Sequence, residues 1–196
     1  EIKRVIDDTP LYNTQTIALA EWMSRFYLCS RGEALSMMIP GGRRDSSIPA
    51  LESEEDLLFE RVERLSDEQQ HAIDTILKRE KPMYYLYGIT GSGKSEVFLR
   101  AAEAIIREGK TVIYLVPEIT LTHQLARQVT NRFSQRVAIL HSALTPSQRL
   151  KEWKRIIAGE VDLAIGARSA VFAPFPNLGL IILDEEHENS YKSGNT

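Results

Sequence analysis

Cysteine is almost absent from this chain of 196 residues, which contains only Cys29. A single thiol cannot form an internal disulfide and cannot build a cysteine-rich metal site. We expect Cys29 to be a buried apolar residue, the common role of an unpaired cysteine. The composition is consistent with an intracellular, cytoplasmic location.

Long apolar runs and an excess of positive charge are also lacking. No run approaches the length of a membrane-spanning helix, and no signal peptide is recognisable, so we expect no membrane partner. Lysine and arginine number 24 against 27 acidic residues, a net charge of −3, so no overall basic field indicates nucleic acid. A local strip of hydrogen-bond donors would still suffice for such a partner. Because the chain begins with Glu1 and not with methionine, we expect it to be part of a longer protein.

The most informative residues present are those from Gly88 to Ser95, which read Gly-Ile-Thr-Gly-Ser-Gly-Lys-Ser. This G-x-x-x-x-G-K-[ST] pattern follows a predicted strand, 83–87, and is typical of a phosphate-binding P-loop. The alternative is a glycine-rich turn without a ligand, but every required position is filled. Lys94 is predicted to reach the β- and γ-phosphates and Ser95 to bind Mg²⁺. The predicted nucleotide-binding residues of this loop are Gly88, Thr90, Gly91, Ser92, Gly93, Lys94 and Ser95.

An apolar segment that ends in acids, 180–187, is the second informative feature. We predict that Asp184 holds the same Mg²⁺ as Ser95 and that Glu185 orients and deprotonates the attacking water. Most acids at strand ends are simply solvated, and only the P-loop upstream favours the catalytic role. His187 is either a structural hydrogen-bonding residue or, as we favour, a link between the nucleotide site and another site.

Gln69 has two compatible interpretations. Ser66-Asp-Glu-Gln69 has the pattern of a capping box, in which Gln69 bonds back to the N–H of Ser66. Alternatively, the amide of Gln69 reads the edge of adenine through one donor and one acceptor.

Strands and helices alternate from Ser66 onwards, which predicts an α/β fold with a parallel sheet covered by helices on both faces. Residues 1–50 differ in character, with an amphipathic helix whose apolar face is Leu19, Trp22, Met23 and Phe26, a short helix over 31–39 and a polar linker. We therefore predict one unit over 1–50 and a second over 51–196, beginning with a helix through Leu65. The predicted helices of the second unit are then 66–81, 94–107, 121–133 and 146–158, and the strands are 83–87, 111–116, 137–140, 163–166 and 178–183.

Polar stretches follow several of these strands, at 117–124, 141–142 and 166–170. Because the carboxyl ends of parallel strands meet at one edge, these stretches could form a track for a phosphate backbone. Each stretch alone is better explained by ordinary helix caps, with Arg168 pairing an acid. Together they predict DNA contacts by Thr120, Ser142, Arg168 and Ser169.

The combined motifs resemble those of superfamily-2 DNA helicases, and more narrowly the primosomal replication-restart helicases. The resemblance covers about residues 65–196, and runs through Leu-Val-Pro-Glu-Ile at 115–119, Gly-Ala-Arg-Ser-Ala at 166–170 and Asp-Glu-Glu-His at 184–187. It implies a RecA-like first lobe that uses ATP and Mg²⁺ to unwind DNA from 3′ to 5′ in replication restart.

The same resemblance also implies which partners the protein has and which further domains lie beyond residue 196. It implies forked DNA or single-strand/duplex junctions as partners, together with other primosome proteins and single-strand-binding proteins. A second lobe with arginines and a zinc-binding insert would lie beyond Thr196, so we expect weak or no activity from this chain alone. Residues 1–50 resemble the tail of a DNA-binding region followed by part of a winged helix.

Two rival functions remain open. One is a P-loop NTPase of another class, such as a kinase or a GTPase, although the guanine-reading Asn-Lys-x-Asp is not found. The other is a DNA-binding scaffold with an inactive nucleotide site, against which the intact Lys94, Asp184 and Glu185 argue.

Overall fold

The computed structural model describes residues 10–38, 64–89, 91–117, 121, 123–141 and 144–188. The predicted linker, the predicted boundary at residue 50 and most of the helix through Leu65 lie outside these ranges. The helices are α1 (Thr14–Phe26), α2 (Arg31–Met38), α3 (Asp67–Lys78), α4 (Lys94–Arg107), α5 (His123–Arg132) and α6 (Pro146–Ile157), and a 3-10 helix spans Arg168–Phe172. The strands are β1 (Thr111–Leu115), β2 (Val137–Leu140), β3 (Leu163–Gly166) and β4 (Leu178–Leu183).

The four strands form one parallel sheet in the order β2-β3-β1-β4. Successive side chains of β1 point to opposite faces of the sheet, so they pack into two separate hydrophobic cores. Val112 and Tyr114 pack with α4 and α5, whereas Ile113 and Leu115 pack with α6 and the 3-10 helix. The predicted α/β class, with helices on both faces of a parallel sheet, is confirmed.

Two helices begin at capping boxes that have the sequence pattern Ser/Thr-x-x-Gln. Ser66 accepts from the N–H of Gln69 while the Gln69 side chain accepts from the N–H of Ser66. Thr145 and Gln148 make the same reciprocal pair at the start of α6. These side chains satisfy backbone donors that the first helical turn leaves unpaired.

The predicted strand 83–87 is not a strand in the structure. Residues 83–89 belong to none of the sheet's strands, and Met83, Tyr85 and Tyr87 are exposed. Strand β4 is also more exposed than its apolar sequence suggests, with Ile181 and Leu183 half exposed. Residues with high β propensity favour a strand, but a strand also needs a neighbouring strand with which to pair. Within the described ranges β4 pairs only with β1, so residues 83–87 do not extend the sheet at that edge.

The predicted apolar face of α1 is wrong for three of its four residues. Met23 is buried with Ala20, whereas Trp22 and Phe26 are 53% and 65% exposed and stack on each other with ring centroids 5.0 Å apart. Leu19 is also exposed. The small side chain of Ala20 permits close packing on α2, which the larger aromatic rings would prevent.

The two N-terminal helices contact the rest of the protein through α6 and through Phe172 of the 3-10 helix. Trp153 of α6 is buried among residues of α1 and α2, and its Nε1 donates to the carbonyl of Leu11 at 3.1 Å. Cys29 packs at the margin of this cluster and is half-buried, so it is less enclosed than expected. Within the described ranges, no helix is both long and apolar enough to cross a membrane.

Substitution of Gly166, the last residue of β3, tests the close approach of β2 and β3. A Cβ atom there would lie 2.1 Å from the carbonyl oxygen of Leu140, a backbone atom that the sheet holds in place. We expect Gly166→Ala to lower the free energy of unfolding by about 1–3 kcal/mol in urea denaturation.

The matched control is Gly32→Ala in α2, where the nearest atom to an added Cβ is a serine hydroxyl at 3.9 Å. Because alanine is the better helix former, the control should be neutral or slightly stabilising. Equal stability of wild type and Gly166→Ala would show that the two strands can separate at little cost.

Candidate nucleotide-binding site

The P-loop turns into α4 through two glycines with left-handed backbone. Gly91 has φ +82° and Gly93, the N-cap of α4, has φ +81°, conformations that favour glycine. Gly88 is also constrained, because a Cβ there would lie 2.6 Å from the hydroxyl of Ser92. The chain thus forms a tight loop at a helix N-terminus, where backbone N–H groups and the helix dipole favour a phosphate. Thr90 lies outside the described residues.

Lys94 lies across this loop. Its Nζ donates to the carbonyl of Gly88 at 2.7 Å and to that of Ile89 at 3.1 Å. The predicted phosphate-binding ammonium is therefore held at the loop, by neutral acceptors that phosphate oxygens can replace. A charged acceptor would make a stronger hydrogen bond with this ammonium than a carbonyl does.

Gln69 caps α3 and also supports the loop. Its Oε1 accepts from the N–H of Ser66 at 2.9 Å, and its Nε2 donates to the carbonyl of Ser92 at 3.0 Å. A Cβ at Gly93 would lie 2.4 Å from that Nε2. The capping role is present in the structure, with both ends of the amide bonded to protein, and adenine recognition stays a prediction.

Asp184 is buried at the end of β4, and β1 holds it by two bonds. Its N–H donates to the carbonyl of Leu115 at 2.9 Å, and its Oδ2 accepts from the hydroxyl of Tyr114 at 2.8 Å. Glu185 follows with φ +48°, a left-handed conformation that is unfavourable for a residue with a side chain. Such local strain is often kept where function needs it.

The exposed residues after Asp184 form a turn. Glu185, His187 and Glu188 each have a side-chain atom that could bind a metal ion, and these three atoms lie within 4.8 Å of one another. Glu186 accepts at 2.8 Å from the hydroxyl of Tyr85, and this hydrogen bond, with the nearby carboxylate charge, raises the pKa of the tyrosine. The turn therefore contacts the segment that leads into the P-loop.

The loop and the acids lie at the same edge of the sheet. Phe98, in the first half of α4, contacts Tyr114 near the carboxyl end of β1, with ring centroids 6.3 Å apart. Ile105, in the second half of α4, lies close to Gly179 at the start of β4. Helix α4 thus runs antiparallel to the strands, and its N-terminus lies beside their carboxyl ends.

Of the predicted DNA-contacting residues, two are described. Arg168 and Ser169 are exposed at the start of the 3-10 helix, directly after β3. The side chain of Arg168 makes no hydrogen bond or ion pair with another described residue, so the expected acidic partner is not found in this part of the chain. Thr120 and Ser142 lie outside the described residues.

An ion-pair cluster beside the loop was not predicted from sequence. Arg132 of α5 makes two hydrogen bonds with Glu96, at 2.6 and 2.9 Å, and a third with Glu103 at 2.7 Å. Arg100 adds a bond to Glu96 at 2.7 Å. Glu96 directly follows Ser95, so the cluster fixes the first turn of α4 to α5. The i, i+4 spacing of Glu96 and Arg100 is a signal from which their pair could have been found, but no local pattern points to Arg132, 36 residues from Glu96.

Burial by itself would raise the pKa of Glu96, but the hydrogen bonds and charges of Arg132 and Arg100 have the larger, opposite effect. The pKa of Glu96 is therefore lowered from its usual 4.5. Burial likewise opposes the charge of Arg132, whose pKa is nevertheless raised by the hydrogen bonds that it donates to Glu96 and Glu103. Both groups remain charged at neutral pH.

Comparison with known proteins gives two matching family models. The model described as DEAD/DEAH box helicase matches residues 66–195, and that of a 3′ DNA-binding domain matches residues 1–40.

Curated relatives are replication restart proteins PriA. The protein of Treponema pallidum is 50% identical over 194 residues, covering 98% of this chain and 30% of that protein. Those of Bacillus subtilis and Rickettsia typhi are 46% identical (70% of this chain, 18% of the relative) and 33% identical (98% and 30%). The chain thus spans less than a third of the length of these relatives.

The ion pair at Glu96 predicts a pH dependence of stability. Because the pKa of Glu96 is lower in the folded than in the unfolded state, its contribution is present above about 4.5 and is lost as the pH falls through the folded pKa. We expect Glu96→Gln to lower the free energy of unfolding by about 2 kcal/mol at neutral pH. Urea denaturation should show this difference shrinking in acid.

Glu80→Gln, at an exposed glutamate, is the matched control and should follow the wild-type pH profile. A deficit for Glu96→Gln that is the same in acid as at neutral pH would contradict the assignment, since it would not depend on the carboxylate charge.

Proposed function

This chain belongs to the DEAD/DEAH box helicase family, and on that premise we propose that it is the ATP-binding lobe of a 3′ to 5′ DNA helicase that acts in replication restart. The observation that carries the proposal is the common position of the P-loop and Asp184-Glu185 at the carboxyl edge of the sheet. Phe98 of α4 contacts Tyr114 of β1, and Tyr114 donates a hydrogen bond to Asp184 at the end of β4. These contacts connect the P-loop helix with the acids. A triphosphate on the loop would then be next to the acids.

The donor set fits ATP and Mg²⁺. Ser95 and Asp184 offer hydroxyl and carboxylate oxygens, the hard ligands that Mg²⁺ prefers, and the glycine loop offers backbone N–H groups to phosphate. When bound, Mg²⁺ neutralises phosphate charge. Lys94 binds the phosphates, and Glu185 accepts a proton from the attacking water. Gln69 contacts adenine, and His187 links the nucleotide site to the rest of the protein.

DNA is the proposed polymer partner. Arg168 and Ser169 are exposed at the carboxyl end of β3, and together with Thr120 and Ser142 they are proposed to contact the phosphate backbone without reading sequence. The match of residues 1–40 to a 3′ DNA-binding domain supports DNA as the partner. We propose forked DNA or single-strand/duplex junctions as the form bound, other primosome proteins and single-strand-binding proteins as partners, and the cytoplasm as location.

The chain alone is proposed to bind nucleotide and to hydrolyse it poorly. Its helicase lobe is proposed to occupy 51–196, and the relatives are more than three times as long as the matched region. In related phosphoryl transfer, an arginine from a second element raises the rate about a thousandfold or more. We propose that the longer protein supplies such arginines, and that any zinc site also lies outside this chain.

Lys94→Ala tests the proposal in the protein that carries both lobes. Loss of the ammonium removes charge stabilisation at the transferred phosphate, so we expect ATP hydrolysis to fall about 100-fold or more. Binding of forked DNA should be retained, since other residues contact it. Steady-state phosphate release and fluorescence anisotropy of a labelled fork measure the two activities.

The matched control is Lys151→Ala, at an exposed lysine of α6, and it should leave both activities unchanged. Loss of fork binding by Lys94→Ala would contradict the proposed separation of roles, and undiminished hydrolysis would contradict the assignment of the P-loop.

A further inference from the structure

Tyr114 is the one residue of β1 with a side-chain hydrogen bond to an acid of the site. The rest of the strand is aliphatic apart from Thr111 at its start. The ring of Tyr114 is 1% exposed and lies in the core between the sheet, α4 and α5. A buried hydroxyl costs free energy unless it is bonded. Here it donates to Oδ2 of Asp184 at 2.8 Å.

This bond fixes an orientation that the backbone alone leaves open. The N–H of Asp184 is bonded to the carbonyl of Leu115 at 2.9 Å, which places the Cα atom. The carboxylate can still rotate about its side-chain bonds, and the hydroxyl of Tyr114 selects one rotation. Two successive residues of β1 thus hold the main chain and the side chain of the same acid.

The same ring also contacts the helix of the P-loop. Phe98 meets Tyr114 edge to face, at 6.3 Å between centroids and 67° between planes. Phe98 lies one turn after Ser95 on α4. A displacement of Tyr114 would therefore disturb both α4 and the end of β4, which carry the proposed Mg²⁺ ligands Ser95 and Asp184.

We propose that Tyr114 is a positioning residue for Mg²⁺, which holds the carboxylate of Asp184 in the rotation that binds the ion and keeps it in register with α4. The proposal rests on the proposed function, because it takes Ser95 and Asp184 as the ligands. A partner that orients a metal ligand from outside the coordination shell commonly changes metal affinity about 10–100-fold when it is removed.

Tyr114→Phe tests the proposal because it keeps the ring and removes only the hydroxyl. The assay is equilibrium binding of a fluorescent, non-hydrolysable ATP analogue to the 196-residue chain, titrated with Mg²⁺ and repeated in EDTA. We expect the Mg²⁺ concentration for half-maximal enhancement of binding to rise about tenfold, while binding in EDTA stays at the wild-type level. A merely structural role would weaken both equally.

Two further variants complete the test. Tyr12→Phe removes a remote hydroxyl, which donates to the carbonyl of Leu35 at 3.4 Å, and should behave as wild type. In an Asp184→Asn background, adding Tyr114→Phe should no longer shift the Mg²⁺ titration, because the ligand on which it acts is gone. Thermal unfolding of each variant accompanies these titrations.

The outcomes separate the two proposals. An unchanged Mg²⁺ titration for Tyr114→Phe, with a Mg²⁺-dependent wild type, would overturn the role of Tyr114 alone. A wild type whose binding does not depend on Mg²⁺ would overturn the proposed function, and with it this inference. A shift that persists in the Asp184→Asn background would also overturn the inference, because the hydroxyl would then act elsewhere.

Discussion

The parallel pairing of β1 with β3 on one side and β4 on the other is the constraint on which the rest of the structure depends. Its register sets Leu115 opposite both Gly166 and Leu183, so three strands end level. The segments that follow those strands carry Arg168 and Asp184, and both therefore emerge at one edge of the sheet. Because α4 runs antiparallel to the strands, its phosphate-binding N-terminus reaches the same edge.

Hydrogen bonds between polar and charged side chains connect the proposed nucleotide site to α5 and β1. Glu96, next to the proposed Mg²⁺ ligand Ser95, is bonded to Arg132 of α5, and Asp184 is bonded to Tyr114 of β1. Burial makes such groups costly unless each has a partner. The described residues include no buried side-chain nitrogen or oxygen without one. Movements of α5 and α4 are therefore coupled where the nucleotide would bind.

The N-terminal helices are attached to the helicase lobe at α6, the helix that follows β2 and its polar end. Trp153 is buried among α1 and α2, and its indole donates to the carbonyl of Leu11. A family model of a 3′ DNA-binding domain covers residues 1–40. The contact thus places the part of the chain that resembles a DNA-binding domain against a helix of the proposed ATP-binding lobe.

Local patterns in the sequence determined the P-loop, the capping boxes at Ser66 and Thr145, strands β2, β3 and β4 to the residue, and the α/β class. These features depend on neighbouring residues, so spacing alone reveals them. Only the tertiary structure decided that 83–87 joins none of the strands in the described part of the chain, that Trp22 and Phe26 face outwards, and that Arg132 and Tyr114 hold Glu96 and Asp184. Pairing, burial and ion pairs join residues far apart in the chain, and their partners are known only once the sheet has been assembled.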